Sequence, residues 1–132
     1  MSSPLVVQDL METEYVTLTP DMPITEAVSI LVEQKVTGAP VLDEDGTVIG
    51  LLSEKQCLGS LLSGAYDRMP AGIVSEFMLE EFVTVPPDMA VFDLAKLFVS
   101  EVLRRFMVVE DGVLVGQITR RDLLRGIKHH WV

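Results

Sequence analysis

The sequence predicts an α/β (α+β) fold in which two β-α-β-β-α units pack sheet to sheet with pseudo-two-fold symmetry. Hydrophobic residues make up 48% of the 132 residues, which is enough for a substantial core. Short β-rich runs alternate with apolar positions at helical spacing. The pattern then recurs, since Val7 matches Val74 and Pro20 matches Pro87 at an offset of 67 residues. A unit of about 55 residues buries too little surface to stand alone, so we expect both units to form one folding domain.

The first half of the first unit is predicted from local signals. Residues 7–11 read as a short helix or turn, and residues 15–18 as a short strand. Asp21 is expected to cap the helix that follows, with Pro23 in its first turn. The buried side of this helix shows the i, i+3, i+4, i+7 spacing: Ile24, Ala27, Val28, Leu31 and Val32.

The second half of the first unit is a hairpin followed by a helix. The preceding helix should end near Thr37-Gly38, where glycine permits the backbone to turn. Residues 40–42 and 47–52 form the two strands, and the Asp-Gly pair in residues 43–46 indicates the turn between them. Ser53 opens the next helix, whose apolar positions are Leu58, Leu61 and Leu62.

These signals divide the chain into residues 1–62, a linker at residues 63–73, and a second unit at residues 74–128. The linker is indicated by its glycines and proline. The second unit repeats every element of the first. Its hairpin turn is one residue shorter, so that Gly50 matches Gly116 at an offset of 66 residues. A constant offset with one turn deletion is typical of a tandem repeat.

The composition argues against several classes of protein. A formal net charge of −10 disfavours a nucleic-acid or anionic-membrane partner, because both need a basic face. No apolar run reaches the roughly 18 residues that span a bilayer, and residues 1–5 lack the features of a signal peptide. We therefore expect a soluble cytoplasmic protein. The single cysteine, Cys57, rules out an internal disulfide and a cysteine metal cluster, and a packing role is expected for it.

Basic residues nevertheless gather in the last part of the chain, and most of them flank the motifs described below. A small anion could be attracted there although the protein as a whole repels anions. A solvated helix face is the alternative interpretation of the same residues. They are Arg104, Arg105, Arg120, Arg121, Arg125 and Lys128.

Taken together, the repeated motifs resemble a pair of tandem cystathionine β-synthase (CBS) domains, also called a Bateman module. The matching segments are Asp9-Leu10-Met11, Gly38-Ala39-Pro40-Val41, Asp45-Gly46 and Gly50-Leu51-Leu52-Ser53, then Phe77-Met78, Thr84-Val85, Asp111-Gly112 and Gly116-Gln117-Ile118-Thr119-Arg120-Arg121-Asp122. The resemblance covers residues 7–127. It implies a free-standing regulatory module that binds an adenosine-containing ligand in a cleft between the two units. It also implies a homodimer formed through helices and output through a partner protein.

The main candidate site is centred on Thr119 and Asp122. Thr119 lies at a helix N-terminus, where unpaired N–H groups and the helix dipole favour an anion. By the family pattern its hydroxyl meets phosphate and Asp122 holds the ribose hydroxyls. Arg120 and Arg121 are close enough in sequence to approach phosphates, and a solvent-facing position is the alternative for both. AMP, ADP, ATP and S-adenosylmethionine all fit the implied pocket, and no cofactor is required. The resemblance adds three residues of the first unit: Thr37, Gly38 and Ala39.

The same motif has a purely structural interpretation, because a hydroxyl residue three positions before an acid or amide is a helix capping box. Ser53 and Gln56 fit that box literally. Thr119 and Asp122 fit it loosely, since aspartate is shorter than glutamate.

A second, doubtful site is built on Ser53 and Gln56. Glutamine stands where the family has aspartate, so that ribose binding there would rest on a neutral and weaker partner. By the family pattern the site is completed by Arg104 and Arg105, which stand where the first unit has Thr37-Gly38. Their guanidinium groups are suited to phosphate.

No catalytic residues and no metal ligands are predicted. Cys57 has no obvious histidine partner, and the adjacent His129 and His130 cannot form a helical metal pair. We therefore expect a regulatory binding module rather than an enzyme. The rival hypothesis is an assembly module with degenerate clefts, which the missing aspartate at Gln56 favours and the intact Thr119/Asp122 motif opposes.

Overall fold

The computed structural model of the protein describes residues 5–63 and 70–130. Residues 64–69 of the predicted linker lie outside the described residues. Helices and strands both contribute, which confirms the predicted α+β class. In chain order the elements are α1 (Val7–Leu10), α2 (Ile24–Gln34), β1 (Gly38–Leu42), β2 (Val48–Ser53), α3 (Glu54–Ser63), α4 (Val74–Phe77), β3 (Thr84–Val85), α5 (Val91–Ser100), β4 (Arg105–Glu110), β5 (Val113–Thr119) and α6 (Arg120–His129).

Contacts divide the chain into two compact units whose bounds differ from those of the sequence repeats. The continuous unit comprises Val16–Phe82, and the discontinuous unit combines Met1–Tyr15 with Val83–Val132. Each unit therefore contains the main helices and strands of one repeat and the opening segment of the other. In the discontinuous unit, the N–H of Val7 donates to the carbonyl of Met89 over 2.8 Å. The equivalent bond in the continuous unit joins Val74 to Met22 over 2.9 Å.

The continuous unit is built on the antiparallel pair β1–β2. In its hairpin turn, Oδ1 of Asp43 accepts from the N–H groups of Asp45 and Thr47 at 2.9 and 3.0 Å, and Gly46 adopts φ 83°. This confirms the predicted Asp-Gly turn. Helices α2 and α3 cover the sheet through a shared apolar cluster. Its buried members are Leu18, Ile24, Ala27, Leu31, Ala39, Val41, Leu52, Cys57 and Val74.

The discontinuous unit has a three-stranded sheet of order β3-β4-β5, in which β3 runs parallel and β5 antiparallel to β4. One face of the sheet packs on α1, α5 and α6 through buried Val7, Val85, Leu94, Phe98, Phe106, Val108, Ile118 and Leu123. Because successive strand residues point to opposite faces, Arg105, Met107, Gln117 and Thr119 lie together on the other face. That face carries the candidate site.

Two local predictions about the first half of the first unit are wrong. The strand predicted at residues 15–18 is reduced to a single bridge between Leu18 and Val41. Pro20 has no N–H and begins a turn, which ends the pairing after Leu18. Asp21 does not cap α2. Pro23 occupies the N-cap position instead, with φ −56° already suited to helix entry.

The end of α2 also differs from the prediction. The helix stops at Gln34, and the residue in the left-handed conformation is Lys35, with φ 57°, rather than Gly38. Gly38 instead lies in β1, close against the neighbouring strand. A Cβ at this position would lie 3.0 Å from the carbonyl oxygen of Leu52. Glycine is therefore needed here for close strand packing and not for a turn.

Across the two described ranges, no helix has both the length and the apolar character required to cross a bilayer. Nor does any group of three or more histidine, cysteine, aspartate or glutamate side chains gather there as a metal site would require. Cys57 is buried in α3. Burial, and secondly the Glu54 carboxylate, raises the pKa of its thiol, as expected for a packing residue rather than a reactive thiolate.

Candidate functional site

The corner where β5 meets α6 is a complete capping box. Thr119 is extended, with φ −101° and ψ 166°, and its Oγ1 accepts from the N–H of Asp122 at 3.1 Å. In return, Oδ2 of Asp122 accepts from the N–H of Thr119 at 3.0 Å. The sequence predicts only a loose fit for aspartate. That expectation is wrong, because the extended backbone at Thr119 directs its N–H toward the first turn, within reach of the shorter side chain.

The carboxylate of Asp122 is held in a single orientation. Its side chain is only 4% exposed, and its second oxygen, Oδ1, lies 3.4 Å from Nη1 of Arg125, one turn further along α6. Each carboxylate oxygen has a further lone pair beyond these contacts. A buried acid fixed in this way can accept two hydroxyl donors from a ligand without first being reoriented.

Two arginines lie beside this corner in the same unit. Arg105 stands opposite Thr119 in the β4–β5 register, and the carbonyl of Arg104 accepts from the N–H of Arg120 at 3.2 Å. Burial lowers the pKa of the Arg105 guanidinium, while Glu12 and Asp122 raise it and Arg104 lowers it further. A half-buried positive charge therefore adjoins the buried carboxylate.

Gln117 and Glu12 extend the polar face, and neither is among the site residues predicted from the sequence. Gln117 is 7% exposed, and its Nε2 donates to Oε2 of Glu12 at 3.2 Å. Within the described residues, Oε1 of Gln117 is fully buried and has no hydrogen-bond partner. A comparison of the repeats could have found them. The equivalent residues of the other repeat are Leu51 and Leu79, which meet each other in the same way through backbone hydrogen bonds.

The corner where β2 meets α3 is capped by a neutral glutamine, and there the Ser53 hydroxyl donates where the Thr119 hydroxyl accepts. Oε1 of Gln56 accepts from the N–H of Ser53 at 2.9 Å and also from its hydroxyl. Glu54 donates its N–H to the carbonyl of Thr37 at 3.0 Å, and Gly38 stands opposite Ser53 in the β1–β2 register. Thr37 is exposed, whereas Gly38 and its neighbour in β1 are buried. The capping function of Gln56 is thus confirmed.

The structure groups the predicted site residues by unit. It brings Thr119 and Asp122 together with Arg104 and Arg105, and Arg121 is exposed on the first turn of α6. The other group consists of Thr37, Gly38, Ala39, Ser53 and Gln56. Each site predicted from the sequence combines residues of the two groups, and that combination stays a prediction.

Comparison with known proteins identifies the family to which the chain belongs. The protein is 32% identical over 117 residues to the CBS domain-containing protein YhcV of Bacillus subtilis, covering 89% of this chain and 81% of YhcV. It is 31% identical over 124 residues to the A-adding tRNA nucleotidyltransferase of Aquifex aeolicus, covering 94% of this chain but only 14% of the enzyme.

Among solved structures, CBSX2 of Arabidopsis thaliana in complex with AMP matches with a TM-score of 0.83 and 29% identity, over 95% of this chain and 97% of that one. The family model for the CBS domain matches twice, at residues 7–63 and 74–129. The second match contains the Thr119/Asp122 corner and the first contains its neutral counterpart. The chain therefore belongs to the CBS-domain family and contains the domain twice in tandem.

Proposed function

We propose that the protein is a regulatory module that binds an adenine nucleotide and signals its presence to a partner protein. The observation that carries this proposal is the buried Asp122 carboxylate, which is fixed at the N-terminus of α6 beside the half-buried Arg105. Support comes from the AMP complex of CBSX2, which is 29% identical to this chain. Ligand binding would bias an equilibrium between two conformations that the partner distinguishes.

Within this proposal, each group of one bound nucleotide is matched to side chains of complementary charge or hydrogen-bonding type. The Thr119 hydroxyl donates to a phosphate, the dipole at the N-terminus of α6 favours the negative charge of this phosphate, and the exposed Arg121 adds positive charge beside it. Asp122 accepts from the ribose hydroxyls. Thr37, Gly38 and Ala39 are proposed as contacts contributed by the other unit.

A second, weaker site is proposed at Ser53 and Gln56, with Arg104 and Arg105 as phosphate ligands. Oε1 of Gln56 already accepts two hydrogen bonds from Ser53. A neutral amide oxygen that already accepts two hydrogen bonds is a poorer acceptor for the ribose hydroxyls than the Asp122 carboxylate. We therefore expect the two sites to differ in affinity.

Replacing Asp122 by alanine is expected to weaken AMP binding by tenfold or more, which corresponds to about 1.4 kcal/mol. The substitution removes the charged acceptor for both ribose hydroxyls. Calorimetric titration with AMP, ADP, ATP and S-adenosylmethionine measures the effect and ranks the four ligands.

The Asp122 test needs two further variants. Asp122→Asn keeps an oxygen that can cap Thr119, so the helix start should stay intact. If this variant has an unchanged melting temperature but binds AMP more weakly, the loss of affinity is due to the lost charge and not to a frayed helix. Gln56→Ala removes the equivalent cap in the other unit and should change AMP affinity at the main site less than threefold. Equal AMP affinity in the wild type and both Asp122 variants would contradict the proposed contact.

One observation favours the alternative, an assembly module without a nucleotide. Both corner side chains, Asp122 and Gln56, already have capping partners, and Asp122 has an ion pair in addition. Stabilisation of the N-termini of α3 and α6 would by itself explain why Gln56 and Asp122 occupy these positions. The absence of binding by all four ligands at millimolar concentration would make this alternative the better account.

We also propose that the protein forms a homodimer through its helices. Exposed apolar side chains recur at equivalent positions of both units, with Val32 matching Val99 and Leu58 matching Leu124. An apolar groove of about 430 Å³ adjoins Val32 and Leu58. A patch that the chain presents twice suits a symmetric contact with a second copy.

The double variant Val32→Glu/Val99→Glu is expected to be monomeric, because it places an unpaired charge in each patch. Light scattering after size exclusion should give twice the chain mass of 14.6 kDa for the wild type and a single chain mass for the variant. Gln34→Glu adds a charge at an exposed position of α2 and serves as the matched control. A monomeric wild type at micromolar concentration would refute the dimer.

A further inference from the structure

The side-chain amide of Gln117 has one satisfied end and one unsatisfied end. Its Nε2 donates to Glu12, while Oε1 is fully buried and accepts no hydrogen bond from any described residue. Leaving a buried acceptor unpaired costs about 1–3 kcal/mol, so such atoms usually have a partner that is supplied from elsewhere. The oxygen is therefore an acceptor that an ordered water or a ligand group can satisfy.

Glu12 determines which end of the amide is available. A carboxylate only accepts hydrogen bonds, so it must face the NH₂ group of Gln117 and not its oxygen. The Glu12 backbone is itself held, since its N–H and carbonyl both bond to the backbone of Gln117, at 2.8 and 3.0 Å. The polarity of the amide is thus set by a residue 105 positions away in the sequence, which leaves Oε1 as a fixed acceptor.

The same position in the other repeat has no comparable group. Gln117 and Glu12 correspond to Leu51 and Leu79, whose backbones pair with the same geometry. Strand pairing at this place therefore needs no polar side chain. The glutamine and the glutamate add a hydrogen-bonding function that the fold itself does not require.

Gln117 precedes Thr119 by two residues, so both side chains lie on the same face of β5, about 7 Å apart along the strand. In the proposed function, Thr119 and the helix N-terminus take the phosphate, and Asp122 takes the two ribose hydroxyls. The one donor group of AMP that remains is the exocyclic amino group of the base. Resting on that proposed function, we propose that Gln117 Oε1 accepts a hydrogen bond from this amino group, and that Glu12 is the positioning residue that selects adenine over a 6-oxo purine.

The test compares AMP with inosine monophosphate, which has a carbonyl oxygen where AMP has the amino group. The wild type should bind AMP at least tenfold more tightly, because the 6-oxygen would face another acceptor at Oε1. Gln117→Leu introduces the residue found at Leu51 and should reduce the AMP preference to threefold or less. Glu12→Ala should reduce it as well, because the freed amide can rotate and offer Nε2 to the 6-oxygen.

The outcomes separate this inference from the proposed function. If the wild type binds AMP and either variant keeps the full AMP preference, the assignment of Gln117 or of Glu12 is overturned while the nucleotide site stands. If the wild type binds AMP and inosine monophosphate equally, this inference is overturned while the nucleotide site stands. If it binds none of the four ligands named above, the proposed function fails and this inference fails with it. Glu12 is exposed, so Glu12→Ala keeps the test valid even if Gln117→Leu perturbs folding. Asp122→Asn is the control, since it should weaken both nucleotides equally and leave their ratio unchanged.

Discussion

Phe106→Ala is expected to lower the free energy of unfolding by about 3–5 kcal/mol. Phe106 is 0% exposed and lies on the helix-facing side of β4. Its ring packs against Phe98 with centroids 4.7 Å apart and an interplanar angle of 49°. Truncation would remove this aromatic contact and leave a cavity between sheet and helices, which a close-packed core fills only in part.

Phe92→Ala is the matched control for this prediction. Phe92 belongs to the same unit but is 74% exposed, and its ring contacts Lys96 Nζ at 5.6 Å from the centroid. The exposed substitution should cost less than about 1 kcal/mol, mostly from the lost cation–π contact. Urea denaturation of the three proteins gives both values. Similar losses for the two phenylalanines would mean that the core is not where the structure places it.

Gly126→Ala and Gly59→Ala are expected to change stability in opposite directions, although both lie inside helices. A Cβ at Gly126 would come within 2.3, 2.6 and 2.8 Å of three carbon atoms of Leu10. Displacing Leu10 should cost about 1–3 kcal/mol. A Cβ at Gly59 meets no atom within 4 Å, so alanine there should add up to about 1 kcal/mol through its better helix propensity.

Measuring both glycine variants in one denaturation series makes the comparison direct. The additional variant Gly126→Ala/Leu10→Ala removes the clashing side chain together with its own packing. It should therefore lose less than the sum of the two single substitutions. Additive losses would show that α1 does not pack on α6 at this point.

Local signals were sufficient to predict most of the secondary structure. The Asp-Gly turn depends on neighbouring residues, and the structure confirms it. The stripe of α2 is confirmed at the buried Ile24, Ala27 and Leu31, but it is wrong at Val32, which is 70% exposed. The end of α2 could not be predicted, because Lys35 rather than a glycine takes the left-handed conformation there. The packing of the opening segments could not be predicted either. Val7 and Val74 are equivalent in sequence, and nothing local tells which sheet each will contact.

The candidate site was predicted in part. The Thr119/Asp122 motif correctly indicated the helix start. Whether the short aspartate side chain can reach the N–H of Thr119 depends on the backbone angles of Thr119, which the sequence does not show, so the prediction of a loose fit was wrong. Gln117 was overlooked because its significance rests on a contact with a distant residue. A single polar residue in a β-rich run carries little information until the strand register shows what lies beside it.

The exchange of opening segments has a consequence for synthesis on the ribosome. The continuous unit, Val16–Phe82, is complete in sequence as soon as its last residue emerges. Residues 5–15 must wait much longer, since Glu12 finds its partner Gln117 only 105 residues later. At about 5–20 residues per second, this delay is roughly 5–20 s. Until Met89 and the residues after it emerge, the apolar face of Val7 and Leu10 lacks its native partners, and the nascent chain offers a hydrophobic segment to chaperones or to other chains.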